Sequence, residues 1–340
     1  METTKMIEEI LKQYSSAELM KRMQFTRLTD TITCMEYKHP ADPEKPLLLG
    51  TVVMPFHGMG IFYYGIPVKI DMRFDSLLNI GLAMNQLRFF KLNYCLGGRV
   101  EVYLSNKEKY AYLDPGMVAF DQNDPSVTLS FTKQQYQGFG IYFNFDLMSK
   151  QDREVLSYYG ITHESSMALI ERDKACFVGN ASSEFTEIIQ DLKTRIDDRS
   201  IGLFHARMQC TRLIYLLLND DVRPLETVEY ATKGQRKLAE DARELILRDP
   251  SLHLTAEDIA DQLSCTAPTL KKYFRKVYGI PMYSFLQDVR MKTAEEALSG
   301  TKKSIAQIAE ASGYSNTSKF CALFKKTYGV SPMEYRRLHS

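Results

Sequence analysis

The chain has 340 residues, of which 44% are hydrophobic and 25% charged, a composition typical of a folded globular protein and not of a disordered or fibrous one. The net charge is only +1, but residues 233–340 contain 18 basic and 12 acidic side chains, so this segment is basic and the preceding part acidic. Six scattered cysteines argue against a zinc site and against disulfides. The acidic N-terminus argues against a signal peptide, and the absence of a long apolar run argues against a membrane span. The sequence therefore predicts a cytoplasmic protein without cofactors.

The N-terminal region begins with helical periodicity and then changes to short apolar segments. Apolar residues at helical spacing predict an amphipathic helix over residues 1–24. Strands are predicted over Leu47–Met54, Leu87–Cys95, Arg99–Leu104, Tyr110–Leu113, Met117–Phe120, Val127–Phe131 and Gly138–Phe145. Gly97-Gly98 and Asp114-Pro115-Gly116 are strong turn signals between them. Short strands with closely spaced turns are typical of a β-sandwich or β-barrel.

Helical periodicity returns over residues 150–159 and 183–218, with a break near 197–202. These helices complete a predicted N-terminal domain of residues 1–220. The Leu-rich stripes of 183–218 exceed what one subunit is expected to bury, which predicts a homodimer. Residues 221–235 are polar, contain Pro224 and Gly234, and are predicted to be a linker.

Residues 236–340 are predicted to form a second domain of seven helices. A helix over Arg236–Arg248 precedes two copies of a helix-turn-helix pattern, which are separated by a long helix over Pro281–Leu298 and followed by a short helix from Pro332. Thr255 is a predicted N-cap with Asp258 at the capping-box position. This region is therefore all-α.

The two helix-turn-helix copies form an internal repeat. Ile259-Ala260 aligns with Ile308-Ala309, and Lys276-x-Tyr-Gly279 aligns with Lys326-x-Tyr-Gly329. The offset grows by one residue between these anchors, so the second copy has one insertion near its turn. In this motif one helix crosses the DNA backbone and the next enters the major groove.

The second helix of each copy presents small, polar or basic residues on its outer face. Lysines and hydroxyls at such positions contact phosphates and guanine acceptors. A solvated face on an ordinary helical bundle is the alternative, and the duplication favours DNA. The predicted DNA-binding residues are Thr266, Pro268, Thr269, Lys271, Lys272, Lys276, Asn316, Thr317, Ser318, Cys321 and Lys325.

The repeat resembles the DNA-binding domain of the AraC/XylS family of bacterial transcription regulators. The resemblance covers residues 236–338. Its signature is carried by Ile308, Ala309, Gly313, Tyr314, Asn316, Ser318, Phe320, Phe324, Lys325, Lys326, Gly329 and Pro332. Membership implies a transcription regulator, more often an activator, that places two recognition helices in successive major grooves of promoter DNA and engages RNA polymerase. The sequence has neither a phosphate-binding Gly-rich loop nor a Gly-x-Ser-x-Gly elbow, so no enzymatic activity and no catalytic residues are expected.

The N-terminal domain is similar to the cupin-like sensory domains of such regulators, through Leu92–Val102 and Tyr112–Phe120. The fold expected for the whole chain is therefore multidomain α+β, with a cupin-like β-barrel and flanking helices before the all-α domain. A barrel interior is expected to hold a small effector. Candidate ligand residues are Arg88, Tyr94, Phe120 and Phe143.

Three alternatives to these expectations stay open. The aromatic candidates can simply fill a small barrel. The regulator can be controlled by a protein partner or by its abundance and bind no small molecule. A cupin-type enzyme is a remote alternative, because His39, His57, His163 and His205 are too scattered for the His-x-His pair that metal-dependent cupins need.

Overall fold

The computed structural model describes residues 21, 23–39, 42–67, 89–104, 108–122, 127–131, 135–172, 176–219, 222–224, 230–252 and 255–339. Two compact units are present, Met1–Tyr230 and Ala231–Ser340. The first is an antiparallel sheet domain with helices, and the second is helical. Among the described residues, no helix combines the length and the apolar character that crossing a membrane requires.

Antiparallel pairing dominates the N-terminal unit. Its strands are β1 Met23–Arg27, β2 Ile32–His39, β3 Asp42–Phe56, β4 Met59–Pro67, β5 Phe90–Gly97, β6 Val100–Leu104, β7 Lys109–Leu113, β8 Met117–Asp121, β9 Val127–Phe131, β10 Gln135–Phe143, β11 Cys176–Asn180 and β12 Arg223–Pro224. The larger sheet has the order β1-β2-β3-β4-β10-β5-β8-β11-β12, and in a second sheet β6 lies between β7 and β9. The order of the described strands leaves β1 and β12 as edges of the larger sheet.

The seven predicted strands are all present; β9 has the predicted ends, and the ends of the other six are shifted. The last of them begins at Gln135 and ends at Phe143, because Asn144 caps a 3₁₀ turn over Phe145–Leu147. Five strands of this unit were not predicted, namely β1, β2, β4, β11 and the two-residue β12. The turn at Asp114–Gly116 is confirmed by a hydrogen bond of 3.0 Å from Met117 N to Asp114 O and by a φ of +87° at Gly116.

Four helices accompany the sheets: α1 Lys150–Tyr158, α2 His163–Arg172, α3 Ser183–Asp197 and α4 Leu203–Leu218. The break predicted near 197–202 is confirmed, and Arg199 there has a φ of +60°. Only the end of the helix predicted over 1–24 falls in the described part, where β1 already begins at Met23; the rest lies outside it.

Alternate residues of the larger sheet point to two different environments, because successive side chains of a strand lie on opposite faces. One face packs on α3 and α4 in a large apolar core that includes Leu92, Phe139 and Ile141. On the other face, Cys95 and Ala119 pack with residues of β6 and β7. The fold is therefore two packed sheets with helices covering one side of the larger one.

The C-terminal unit contains the seven predicted helices: α5 Lys233–Arg248, α6 Ala256–Gln262, α7 Ala267–Tyr278, α8 Met282–Gly300, α9 Ile305–Ala311, α10 Thr317–Tyr328 and α11 Pro332–His339. A short strand, β13 Ala231–Thr232, precedes them. Helix α5 starts three residues before the predicted position, because Thr232 and Gln235 form a capping box. Helix α5 therefore begins within the segment that was predicted to be a linker.

Candidate nucleic-acid interface

The two helix-turn-helix units, α6–α7 and α9–α10, begin with the same capping arrangement. In the first, Thr255 Oγ1 accepts a hydrogen bond from Asp258 N at 3.1 Å, and Asp258 Oδ2 accepts one from Thr255 N at 2.8 Å. In the second, Ser304 and Gln307 form the same box at 3.2 and 2.9 Å. The predicted cap at Thr255 is thus confirmed, and the sequence repeat is also a repeat of local structure.

The recognition helices α7 and α10 also begin and end alike. Thr266 and Asn316 are their N-caps and accept hydrogen bonds from the backbone N–H groups three residues later. Gly279 and Gly329 end them in the left-handed conformation, with φ of +71° and +80°. The side-chain oxygens of the two N-cap residues therefore stabilise helix ends, in addition to the DNA contacts predicted for these residues.

The turns differ by one residue. Cys265 N donates to Ala260 O and Tyr314 N donates to Ala309 O, both at 2.9 Å, so the copies stay in register up to these positions. Since the next aligned residues are the N-caps, the predicted insertion lies at Ser315. Within the turn, Gly313 has a φ of +80° and its counterpart Ser264 a φ of +53°. A residue other than glycine at this positive φ costs about 1 kcal/mol of folding stability. Only the second copy avoids this cost, because it has a glycine at the position.

Arg290, in the middle of α8, contacts both halves of the C-terminal unit. Its Nε donates to Pro250 O at 2.8 Å and its Nη2 donates to Leu252 O at 3.1 Å, both in the segment that precedes the first unit. Its guanidinium also lies 5.6 Å from the centre of the Tyr314 ring in the second turn. Arg290 is 8% exposed. A buried cation therefore connects the two helix-turn-helix units through the central helix.

Helix α7 carries most of the predicted basic contacts. Leu270 and Phe274 are buried, whereas Lys271 and Lys272 are exposed on the opposite side. Lys271 Nζ lies 3.1 Å from Glu257 Oε1 of α6. Hydrogen bonds from its own backbone N–H and from Lys271 lower the pKa of Glu257, so the carboxylate stays ionised at neutral pH. DNA contact by Lys271 must displace this pair, whereas Lys272 has no such competitor among the described residues.

Helix α10 differs from α7 in where its charges lie. Phe320 and Phe324 are buried, and Cys321 and Ala322 stand where the first helix has its two central lysines. Exposed lysines lie nearer the two ends of α10. Of the predicted DNA-binding residues, those exposed are Thr266, Pro268, Lys271, Lys272, Asn316, Ser318 and Lys325, and those half-buried are Thr269, Lys276, Thr317 and Cys321.

Three further exposed cations on the recognition helices were not among the predicted DNA-binding residues. They are Arg275 of α7 and Lys319 and Lys326 of α10. The repeat itself could have indicated two of them, because Lys319 aligns with Thr269 and Lys326 with Lys276, both of which were predicted. Helical spacing from Lys271 to Arg275 was the available signal for the third.

Of the predicted ligand residues, the structure describes Tyr94, Phe120 and Phe143. Arg88 is outside the described residues. Tyr94, Phe120 and Phe143 belong to the apolar core that faces the helices. Tyr94 stacks on Phe185 at a centroid distance of 5.8 Å, and Phe120 on Phe143 at 6.1 Å. In the structure these three side chains fill the core, the alternative that the sequence left open.

A polar cluster lies on the other face of the larger sheet, with two half-buried tyrosines and four buried side chains. It comprises Tyr64, Lys91, Asn93, Asp121, Tyr136 and Tyr142, which we call the inter-sheet polar cluster. Lys91 Nζ is 3.3 Å from Asp121 Oδ2, and both side chains are almost fully buried. Tyr64 donates to Tyr142 at 3.0 Å, and Tyr136 donates to Asn93 Oδ1 at 3.2 Å. No sequence pattern indicates this cluster, because its members alternate with core residues along their strands.

Burial and ion pairing set the protonation states in the inter-sheet polar cluster. Burial alone would lower the pKa of Lys91, but Asp121 outweighs that effect and raises it, so the pair is ionised. Burial raises the pKa of Tyr136, which therefore stays a hydroxyl donor. The buried side-chain nitrogen of Asn93 has no hydrogen-bond partner among the described residues. An unpaired buried donor is costly, and a ligand acceptor would satisfy it.

Comparison with known proteins gives a family match whose residues lie in the C-terminal unit. Residues 259–338 match a family model described as a helix-turn-helix domain. The Msm operon regulatory protein of Streptococcus mutans is 29% identical over 165 residues, 48% of this chain and 58% of the relative. The regulatory protein PocR of Salmonella typhimurium is 38% identical over 84 residues, 25% of this chain and 28% of the relative.

A solved structure, a transcriptional regulator from Chromobacterium violaceum with an AraC-type DNA-binding domain, is 24% identical. The match covers 32% of this chain and 96% of that one, with a TM-score of 0.30. This chain spans less than two thirds of the length of the two curated relatives described above.

Proposed function

We propose that this chain, whose residues 259–338 form an AraC-type helix-turn-helix domain, is a sequence-specific DNA-binding transcription regulator acting in the cytoplasm. The observation that carries the proposal is the pair of matching helix-turn-helix units, each with a capped recognition helix that exposes cations. Two such helices joined by α8 would enter adjacent major grooves, since its 19 residues span about 28 Å. Activation through RNA polymerase is the mode we favour, and an enzymatic role is not part of the proposal.

The direct experiment measures binding of the full chain to the promoter region upstream of its own gene and to a scrambled duplex. We expect tighter binding to the promoter and a steep loss of affinity with rising salt on both, because phosphate contacts release counterions. Equal affinity for the two duplexes at every salt concentration would contradict sequence-specific binding. Binding that does not respond to salt would contradict the phosphate contacts.

We further propose that the N-terminal unit is a cupin-like sensory domain whose effector binds the inter-sheet polar cluster. The support is the unpaired Asn93 nitrogen beside three tyrosine hydroxyls and a neutralised Lys91–Asp121 pair. Because the cluster has many hydrogen-bonding groups and no net charge, a small neutral polyhydroxylated molecule fits it best. A regulator controlled by a protein partner is the alternative.

A thermal-shift screen of the full chain against neutral sugars and polyols tests the effector proposal. A ligand at about 100 times its Kd stabilises the folded state by about 2.7 kcal/mol and raises the unfolding midpoint. Tyr142→Phe removes one hydroxyl of the cluster and should abolish most of the shift. Tyr94→Phe, on the opposite face of the sheet, should retain it. No shift across the panel would favour the partner-controlled regulator.

We also propose a homodimer formed through α4. Phe204, Met208 and Tyr215 are 76%, 55% and 42% exposed and lie at intervals of four and seven residues on one side of this helix. Apolar side chains at that spacing form a continuous stripe, and stripes of this kind mark protein interfaces.

Replacing both Phe204 and Met208 with glutamate should convert the dimer to a monomer, since two carboxylates per subunit would be buried in the interface. Sedimentation equilibrium measures the mass. Tyr158→Glu, an equally exposed aromatic residue on α1, is the matched control and should leave the dimer intact. A monomeric mass for the unmodified chain at micromolar concentration would refute the proposal.

A further inference from the structure

The C-terminal unit contains a groove that the proposed DNA contacts do not explain. It has a volume of about 650 Å³ and is formed where the end of α5, the N-terminal half of α6, α7 and the beginning of α8 meet. Its walls are largely apolar and include Leu252, Ile259, Met282 and Leu286. This size and this lining are typical of small-molecule sites, which combine an apolar surface with a few polar groups.

The charges around the groove favour one kind of ligand. Both acidic side chains of the lining already have partners, since Glu257 pairs with Lys271 and Asp249 Oδ1 accepts a hydrogen bond from Ser251 N at 3.0 Å. Arg290 donates to two backbone carbonyls. Arg275 is exposed and has no ion-pair partner among the described residues. The surplus charge at the edge of the groove is therefore positive.

We propose that this groove binds an amphipathic monoanion, a molecule with an apolar body and one carboxylate or sulfonate. The apolar body would lie against Leu252, Met282 and Leu286, and the anionic group would pair with Arg275. Burial of exposed apolar surface supplies most of the affinity, because Leu252 alone is 51% exposed. The Arg275 contact fixes the orientation of the ligand.

Occupation of the groove interferes with DNA binding. Arg275 and Lys271 belong to the first recognition helix, and an anion held beside them neutralises charge that DNA phosphates would use. The ligand would also sit against the Lys271–Glu257 pair. This consequence rests on the proposed DNA-binding function, whereas occupation of the groove does not. The site would give the DNA-binding unit a ligand response of its own, independent of the N-terminal unit.

A single tryptophan provides a local test, because the chain contains none. Tyr283 lines the groove and is 67% exposed, so Tyr283→Trp places a fluorophore at its edge. The probe is 8-anilinonaphthalene-1-sulfonate, an aromatic sulfonate that quenches nearby tryptophan by energy transfer. In the full chain we expect saturable quenching of the Tyr283→Trp fluorophore. Tyr158→Trp places the fluorophore in the N-terminal unit and reports binding of the probe outside the groove.

Two second-site changes in the Tyr283→Trp protein decide whether the groove is the site. Arg275→Gln should weaken the apparent affinity about fivefold, which equals about 1 kcal/mol. Leu286→Glu should abolish saturable quenching, because it places a carboxylate in the apolar wall. Lys302→Gln, an exposed residue outside the groove that changes the net charge equally, should have no effect. Circular dichroism checks that each protein folds.

Equal quenching in the Arg275→Gln, Leu286→Glu and unmodified reporter backgrounds overturns the proposal. Displacement of the probe by duplex DNA is expected, and a probe that stays bound at saturating DNA overturns the interference with DNA binding. A separate titration of the full chain with DNA, without the probe, distinguishes failure of the groove proposal from failure of the proposed DNA-binding function. If the chain bound no DNA there, the proposed function would fail while site-dependent quenching would still establish the groove.

Discussion

Replacing Lys271 and Lys272 together with alanine should weaken the affinity of the full chain for promoter DNA roughly thirtyfold. Each lysine at this exposed position of α7 is expected to contribute about 1 kcal/mol through a phosphate or guanine contact, and 1.4 kcal/mol corresponds to a factor of ten. If both contacts are to phosphates, the slope of log affinity against log salt should become less steep by about 1.8. Fluorescence anisotropy over a salt series measures both quantities.

The two lysines are not equivalent, because Lys271 forms an ion pair with Glu257. Lys272→Ala alone should cost more affinity than Lys271→Ala, since the pair between Lys271 and Glu257 must be given up on binding. Glu257→Gln removes the competing carboxylate and should tighten binding a few-fold, within the small range expected for an exposed ion pair. Lys237→Ala, on the exposed side of α5, is the control and should leave affinity unchanged. Unchanged affinity and salt slope in the double variant would refute the placement of α7 in the major groove of DNA.

Replacing Arg290 with methionine should destabilise the C-terminal unit by about 3 to 5 kcal/mol. The change removes two charge-assisted hydrogen bonds and leaves the carbonyls of Pro250 and Leu252 without those donors. Such bonds contribute roughly 1.5 to 3 kcal/mol each. Urea unfolding followed by far-ultraviolet circular dichroism measures the loss as a lower transition midpoint.

Two companion variants separate the geometry of Arg290 from its charge. Arg290→Lys retains the charge but cannot donate in the same fixed fork, so we expect it to recover only a minor part of the stability. Lys292→Met, two residues along the same helix at a more exposed position, should change the midpoint little. An Arg290→Met protein as stable as the unmodified chain would show that the connection between the two helix-turn-helix units does not depend on this side chain.

Arg290 also constrains the second turn. A Cβ atom at Gly313 would come within 2.8 Å of its guanidinium, and the φ of +80° there is unfavourable for any other residue. In the sequence, Gly313 stands out only as one residue of the signature that resembles the AraC/XylS family. The structure adds that the glycine leaves room for a buried arginine from a different helix, which no local pattern indicates.

Local patterns were sufficient for much of the C-terminal unit. Helix periodicity, the cap at Thr255 and the prolines at 281 and 332 predicted its seven helices, because helices depend mainly on contacts within a few residues. The internal repeat located both turns and predicted one inserted residue near the second of them. The same reasoning was less successful in the N-terminal unit, where β1, β2, β4 and β11 were not predicted, since strands form through partners distant in the chain.

The amino-acid sequence by itself determined the two-part architecture, the duplicated helix-turn-helix and the exposed lysines of α7. Only the tertiary structure decided which residues share an environment. It placed Tyr94, Phe120 and Phe143 in the apolar core, brought Lys91 and Asp121 together on the other face of the sheet, and paired Lys271 with Glu257. The physical reason is that periodicity indicates that a side chain is on a given face, whereas its neighbours there come from strands and helices far away in sequence.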